Sequence, residues 1–137
     1  MTPPSTDLRD RLQLTLGAAY TIERELGGGG MSRVFRARDD ALGRDVVIKV
    51  LTSELAQELS AERFEREVRV TAQLQHPHIV PVITAGVTDA RPFYVMPFVA
   101  GESLRAHLAG GAPLDAAASV KVLAAVAHAL DYAHRRV

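Results

Sequence analysis

Hydrophobic and polar residues alternate in the first part of the chain with the period of two that is typical of β-strands. Tyr20–Leu26 alternates, with Tyr20, Ile22 and Leu26 on one side, and the alternation resumes at 33–38 after a run of four glycines. Two strands joined by glycines predict a β-hairpin with a flexible tip. Residues 45–51 are rich in β-branched side chains and predict the next strand.

Two further strands are predicted at 79–84 and 92–99, with the turn between them at 86–89. Helical spacing of apolar residues instead predicts helices at 7–16, 60–75, 103–108 and 114–136. Residues 1–7 are polar, contain two prolines and predict a loose tail. Five strands with one helix inserted, followed by helices, indicate an α+β fold.

Composition narrows the class of protein without indicating a function. The 137 residues are 47% hydrophobic and 23% charged, as expected for one globular domain. Sixteen basic and sixteen acidic residues cancel, so no nucleic-acid partner is predicted. The absence of cysteine excludes disulfides and thiolate zinc sites. With no secretory signal and no uncharged apolar run of membrane length, the chain is expected to be soluble and cytoplasmic.

The glycine run Gly27–Gly30 is the first candidate for a binding function. Without Cβ atoms, a backbone approaches a polyanion closely and turns its N–H groups towards it. For a glycine run taken alone, a plain flexible hairpin turn is the favoured explanation, because short glycine motifs often occur without any ligand.

Two charged residues strengthen the functional interpretation. Lys49 shares a strand face with Val47 and Leu51, and a buried-side ammonium needs an anionic partner. Glu67 lies at the edge of the apolar stripe of the 60–75 helix, one turn after Phe64, and is predicted to point inward and pair with Lys49. The alternative for the lysine is a side chain that snorkels to solvent at the end of a strand.

The apolar segment Met96–Val99 leads into a break at Ala100–Gly101. A strand that enters a linker can offer a backbone carbonyl and a backbone N–H to the edge of a purine. Pro97 has no N–H to donate but its carbonyl still accepts. The alternative is an edge strand that tolerates proline.

Seven segments in order now resemble the N-terminal part of bacterial Hanks-type serine/threonine protein kinases. The segment 26–34 is similar to the kinase glycine-rich loop, Val46-Val47-Ile48-Lys49 to the V-A-I-K strand, and Glu67 stands at the position of the αC glutamate. The other matches are His76-Pro77-His78-Ile79-Val80 to the turn after that helix, 96–99 to the gatekeeper and hinge, 99–104 to the passage into αD, and Leu130-Asp131-Tyr132-Ala133-His134 to the end of αE. The resemblance covers about residues 20–137.

The resemblance implies an α+β fold with a kinase small lobe, made of a five-stranded antiparallel sheet and the αC helix, followed by the αD and αE helices of a large lobe. It divides the chain into a tail and short helix at 1–19, the small lobe through the hinge at 20–99, and the start of the large lobe at 100–137. ATP is the implied ligand. The implied ATP-binding residues are Leu26, Gly27, Gly29, Ser32, Val34, Val47, Lys49, Glu67, Met96, Pro97, Val99 and Ser103.

In this resemblance the glycine loop covers the phosphates, and Lys49 contacts them while Glu67 holds it. Apolar side chains wall the adenine, the Pro97 carbonyl and the Val99 N–H read its edge, and Ser103 lies near the ribose. Ser32 replaces a third glycine and is expected to stiffen the loop. Val47 replaces the usual alanine and is expected to weaken ATP binding.

The H-R-D and D-F-G motifs, which supply the base and the Mg²⁺ ligands of a kinase, do not occur in the 137 residues. The chain is therefore expected to be a kinase fragment that binds ATP, holds no metal and transfers no phosphate. Protein substrates of the complete kinase are not predictable from these residues, and the family leaves dimerisation through the small lobe open.

Four other interpretations account for some of the same residues. A dinucleotide-binding motif needs a helix directly after the glycines, where 33–38 predicts a strand, and a P-loop needs a lysine after the last glycine. A metal site at His76 and His78 lacks an evident third ligand. A pseudokinase-like module that binds nucleotide or a docking partner without phosphotransfer fits the same residues as the enzyme.

Overall fold

The computed structural model describes residues 4–27, 32–51, 61–111 and 113–136. Nine elements follow one another in these segments: α1 (Pro4–Leu16), β1 (Tyr20–Leu26), β2 (Ser32–Asp39), β3 (Arg44–Leu51), α2 (Ala61–Ala72), β4 (Thr84–Thr88), β5 (Arg91–Pro97), α3 (Leu104–Ala109) and α4 (Ala116–Arg136). Ser60, where a helix was predicted to begin, and Gly28, Gly29 and Gly30 lie outside the described residues.

The chain divides into two compact units. The first unit consists of Met1–Gln73 and Pro81–Phe98, and the second consists of Leu74–Val80 and Val99–Val137. The first contains the whole sheet with α1 and α2, while the second contains α3 and α4.

The sheet of the first unit has five antiparallel strands in the order β1-β2-β3-β5-β4. The α+β class and the five-stranded antiparallel sheet predicted from the sequence are confirmed. Because side chains alternate between the faces of a strand, the register gives the sheet two distinct faces. We call them the covered face, which carries Phe35, Val46, Ile48 and Val95, and the open face, which carries Leu26, Val34, Arg36, Val47, Lys49 and Met96.

The covered face forms the hydrophobic core together with α1. Leu8 and Leu12 of this helix belong to the same buried cluster as Phe35 and Ile48, and Leu12 is fully buried. The sequence predicted the helix, from leucines spaced four residues apart, but placed it after a loose tail. It begins at Pro4 instead, and its leucines complete the core of the sheet.

Polar side chains of α1 attach the helix to the edge of β1. The Gln13 amide donates to the Tyr20 carbonyl at 2.7 Å and accepts from the Ile22 N–H at 2.8 Å, so it continues the hydrogen-bond ladder of the sheet. Arg9 donates to the carbonyls of Ile22 and Glu23. These bonds satisfy backbone groups that an edge strand would otherwise leave unpaired.

The turn between β4 and β5 differs from the prediction. It was expected at 86–89, but the two turn residues are Asp89 and Ala90, both with positive φ, as in the tight hairpin turns that match strand twist. Gly86 lies inside β4, where an added Cβ would come within 2.8 Å of the Phe93 ring. The glycine therefore makes room for an aromatic ring, and the strand predicted at 79–84 begins only at Thr84.

Among the described helices, α4 is the one that is long and apolar enough to span a membrane by length and composition, contrary to the sequence-based expectation. Its apolar side chains Val120, Leu123, Val126 and Leu130 are exposed. Core helices of soluble proteins meet the same two criteria, so length and composition do not by themselves indicate a membrane location.

Replacing Leu12 should test whether α1 is part of the core. We expect Leu12→Ala to lower the free energy of unfolding by about 2–5 kcal/mol, because it leaves a cavity against the covered face. Leu14→Ala on the same helix is the matched control, since Leu14 is 81% exposed. Urea unfolding followed by circular dichroism measures both. Equal losses in the two variants would contradict the packing of α1.

The turn between β2 and β3 should make stability depend on pH through Asp39. Burial raises the pKa of this carboxyl, but hydrogen bonds from the Arg44 guanidinium and the Leu42 N–H outweigh it and hold the pKa below the ordinary 3.8. The unfolded chain therefore binds the proton more readily, so the stabilisation is complete above the unfolded pKa and is lost as the pH falls through the lower, folded pKa.

We accordingly expect Asp39→Asn to lower the urea midpoint above about pH 5 and to lose this effect progressively in more acidic solution. Arg44→Met should reduce the pH-dependent part of the stability, because it removes the cation that pairs with the Asp39 carboxylate. A difference between wild type and Asp39→Asn that stays constant down to pH 2 would refute the assignment.

Candidate functional site

The open face brings together five of the twelve residues that the sequence predicted to bind ATP: Leu26, Val34, Val47, Lys49 and Met96. Strand register places Leu26 opposite Val34 and Val34 opposite Lys49 in one row. The neighbouring row runs from Arg36 through Val47 to Met96. All six side chains are half-buried, so this face is partly accessible while the covered face is not.

A β-bulge puts Leu26 on this face. The pairing of β1 with β2 shifts between Ile22 and Arg24, so one extra residue lies in β1. An extra residue reverses the side on which all later residues of a strand lie. Ile22 therefore lies in the core, whereas Leu26 joins Val34 on the open face, and the prediction that Ile22 and Leu26 share a side was wrong.

Lys49 lies on the open face, and this corrects the expectation that it points to the apolar side of the sheet. The fully buried residues of β3 are its neighbours Val46, Ile48 and Val50, which face α1. Lys49 is half-buried and forms no ion pair with any residue that the structure describes. Its ammonium therefore has no anion of the described protein competing for it.

The predicted pair between Lys49 and Glu67 is not present. Glu67 is exposed on α2, and its carboxylate lies 3.1 Å from the Arg63 guanidinium one turn earlier. Residues four apart on a helix are close neighbours, so this pair forms within the helix itself. Among the side chains of α2 that the structure describes, Phe64 is the buried one, and the expectation that Glu67 points inward was wrong.

An ion pair links β1 and β2 at the base of the glycine tip. Arg33 binds the Glu25 carboxylate through Nε and Nη2, both at 2.8 Å. The hydrogen bonds from Arg33 lower the pKa of Glu25, and those to Glu25 raise the pKa of Arg33. The pair holds Leu26 and Ser32 at the base of the tip, where Gly27 is exposed and Ser32 pairs with Leu51 of β3.

The segment expected to act as the hinge begins on β5. Met96 pairs with Val47 and lies on the open face, while Pro97 pairs with Val46. The Phe98 N–H donates to the Asp45 carbonyl at 3.2 Å and extends the ladder by one bond. Val99 follows, is exposed, and begins the 99–137 segment of the second unit.

Ser103 has a structural role in the second unit. Its hydroxyl accepts a hydrogen bond from the Ala106 N–H at 3.1 Å and caps α3. The helix therefore begins at Leu104, one residue later than predicted.

Two residues of the open face were missed by sequence reasoning. The Arg36 guanidinium lies 4.3 Å from the centre of the Phe98 ring and 2.8 Å from the Asp45 carboxylate. The alternation of Arg36 with Val34 and of Phe98 with Met96 indicates only the side of the strand on which each residue lies. Charged residues on strands are usually solvated, so nothing in the pattern distinguished this arginine.

In the second unit, the turn at 76–80 is held by α4. The Gln75 N–H donates to the Tyr132 hydroxyl at 2.9 Å, and the rings of His76 and Tyr132 lie 5.2 Å apart. His76 Nδ1 accepts from the His78 N–H. Among the residues that the structure describes, no three histidine, cysteine or acidic side chains are grouped as metal ligands.

Comparison with known proteins identifies this arrangement. A family model described as a protein kinase domain matches residues 20–137, which include the sheet and α4. Serine/threonine-protein kinase PknJ of Mycobacterium tuberculosis is 43% identical over 120 residues, which are 87% of this chain and 20% of that protein. Serine/threonine-protein kinase pkn3 of Myxococcus xanthus is 36% identical over 136 residues, 98% of this chain and 24% of that protein.

Solved structures agree. The kinase domain of M. tuberculosis PknI superposes with a TM-score of 0.78 at 36% identity, over 87% of this chain and 49% of that one. The chain thus spans about a fifth to a quarter of these curated relatives and about half of the solved kinase domain. Helix α1 precedes the part that the family model matches.

Proposed function

The chain belongs to the protein kinase family, as the N-terminal part of a bacterial Hanks-type serine/threonine kinase domain, and on this premise we propose that the open face of its sheet binds ATP. Protein kinases use ATP and Mg²⁺. The proposed small lobe is 20–99, and 100–137 is the proposed start of the large lobe.

One observation carries the proposal: the register gathers four apolar side chains and one ammonium on the same half-buried face. Leu26, Val34, Val47 and Met96 offer an apolar surface for the adenine ring. Lys49 lies directly opposite Val34, so its charge stands beside this surface, where the phosphates of a bound nucleotide would lie. An ammonium without a described anionic partner can bind phosphate without first breaking an ion pair.

Backbone groups complete the proposed site. The loop formed by Gly27, Gly29 and Ser32 would cover the phosphates, and the Pro97 carbonyl and Val99 N–H would read the purine edge. The Ser103 oxygen accepts from the Ala106 N–H, which leaves its hydroxyl hydrogen available for the ribose. The proposal gives Glu67 no contact with Lys49, because its carboxylate pairs with Arg63.

The complete protein is proposed to transfer the γ-phosphate of ATP to serine or threonine hydroxyls of proteins. The curated relatives named above are kinases, which favours this over a binding module without phosphotransfer. The H-R-D and D-F-G motifs are absent from these 137 residues, and so are the Mg²⁺ ligands that they supply. We therefore propose that this chain binds nucleotide without transferring phosphate. A cytoplasmic location stays a prediction, as does dimerisation through the small lobe.

Lysine footprinting tests the nucleotide site directly, because Lys49 and Lys121 are the two lysines of the chain. We expect ATP to protect Lys49 from an amine-acetylating reagent and to leave Lys121 of α4 unprotected, as measured by peptide mass spectrometry. Lys49→Ala should weaken ATP binding by about ten- to a hundredfold, the value of a hydrogen bond to a charged group. If saturating ATP leaves the labelling of Lys49 unchanged, as it does that of Lys121, the proposed site is refuted.

A radiolabelled-ATP assay tests the second part of the proposal. We expect no autophosphorylation and no labelling of an added protein substrate by the 137-residue chain, since the catalytic base and metal ligands of the family do not occur in it. Incorporation that disappears in Lys49→Ala would show that this chain has catalytic groups of its own. Lys121→Ala is the control for a nonspecific effect of losing a lysine.

A further inference from the structure

Arg36 occupies a specific place on the open face. It lies directly opposite Val47 on β3, and Val47 lies opposite Met96, so the arginine continues the row that contains two proposed adenine contacts. Its side chain is 25% exposed. A charge this far removed from water needs strong partners.

Two carboxylates and one aromatic ring surround the guanidinium. Arg36 Nη2 donates to Asp45 Oδ2 at 2.8 Å, and Nε lies 3.5 Å from Glu23 Oε2. This second approach is an ion pair without hydrogen-bond geometry, and the buried Nε has no hydrogen-bond partner. The same guanidinium stacks on the Phe98 ring, 4.3 Å from its centre, and this cation–π contact is its other strong interaction.

Asp45 connects the two partners of this stack. Its carboxylate binds Arg36, and its backbone carbonyl accepts the Phe98 N–H at 3.2 Å. Arg36, Asp45 and Phe98 form a cluster, named here the Phe98 clamp, which holds both the backbone and the ring of Phe98. The guanidinium suits this contact because it is planar and weakly hydrated, whereas a lysine ammonium is a strongly hydrated point charge.

Phe98 stands between the two backbone groups proposed to read the purine. The Pro97 carbonyl precedes it and the Val99 N–H follows it, so the φ and ψ angles of Phe98 set the directions of these groups relative to each other. We propose that Arg36 is a positioning residue that selects adenine, acting through Phe98 and without touching the nucleotide. This inference rests on the proposed function, because it presumes that ATP binds to the open face.

The selectivity between ATP and GTP measures the alignment of these backbone groups. Adenine presents a donor and an acceptor where guanine presents an acceptor and a donor, so a correctly directed carbonyl and N–H favour adenine. We expect wild type to bind ATP more tightly than GTP by calorimetry. Arg36→Met should weaken ATP binding by about five- to thirtyfold, the fold-change equivalent of a desolvated cation–π contact, and leave GTP affinity unchanged within about twofold.

Arg38→Met is the matched control. Arg38 lies on the same strand, two residues further on, and pairs with the same carboxylate at 3.8 Å, but its contacts do not include Phe98. It should retain the selectivity of wild type. Phe98→Leu should lose selectivity as Arg36→Met does, Phe98→Tyr should retain it, and the double variant Arg36→Met/Phe98→Leu should lose no more than either single variant.

Several outcomes would overturn the inference. A wild-type ATP:GTP ratio in Arg36→Met would show that the clamp has only a structural role. An altered ratio in Arg36→Met with an unaltered ratio in Phe98→Leu would show direct contact with the nucleotide. Phe98→Leu and Phe98→Tyr keep the test decisive if Arg36→Met fails to fold. Failure of wild type to bind either nucleotide, with Lys49 unprotected, would overturn the proposed function as well, and the footprint distinguishes that case.

Discussion

The burial of α1 against the covered face of the sheet is the interaction on which the other features depend. Leu8 and Leu12 close the cluster formed by Phe35, Ile48 and Val95. Once one face of a strand is committed to a core, the period of two leaves no choice for the residues between. Val34, Val47 and Lys49 lie on the open face because their immediate neighbours are buried under this helix.

Helix α1 lies before the part of the chain that matches the kinase family. Its Gln13 amide nevertheless behaves as part of the sheet, since it donates to and accepts from the backbone of β1. The residue that follows this contact, Glu23, is the extra residue of the bulge. The helix therefore binds β1 next to its β-bulge, the irregularity that places Leu26 on the open face.

Electrostatics divides the open face into two regions. At one end of the Arg36–Val47–Met96 row, the Arg36 guanidinium is surrounded by two carboxylates and an aromatic ring, so its charge is balanced by groups of the protein itself. In the adjacent row, the Lys49 ammonium has no described anionic partner. Two cations on one face thus have opposite environments, one suited to hold the backbone near the hinge and the other suited to bind an external anion.

The sequence by itself determined the class of the fold, the number of strands, the family and the side of β3 that Lys49 shares with Val47. These are local properties, because alternation and β-propensity are set by neighbours along the chain. Three features depended on strand pairing and side-chain contacts in the folded chain, and the hydrophobic pattern did not predict them. The β-bulge puts Leu26 and Ile22 on opposite faces of the sheet. Gly86 lies inside β4 against the Phe93 ring, and the Glu67 carboxylate pairs with Arg63.

The same distinction explains the Phe98 clamp. Sequence patterning shows that Arg36 and Phe98 each alternate with apolar residues, but they stand 62 positions apart, and only the pairing of β2 with β3 and of β3 with β5 brings them together. A periodic pattern specifies which side of a strand a residue occupies, whereas its partner on that side is specified by register. Register is set by which face of the sheet is buried and by the turns that join the strands, and it is therefore a property of the tertiary structure.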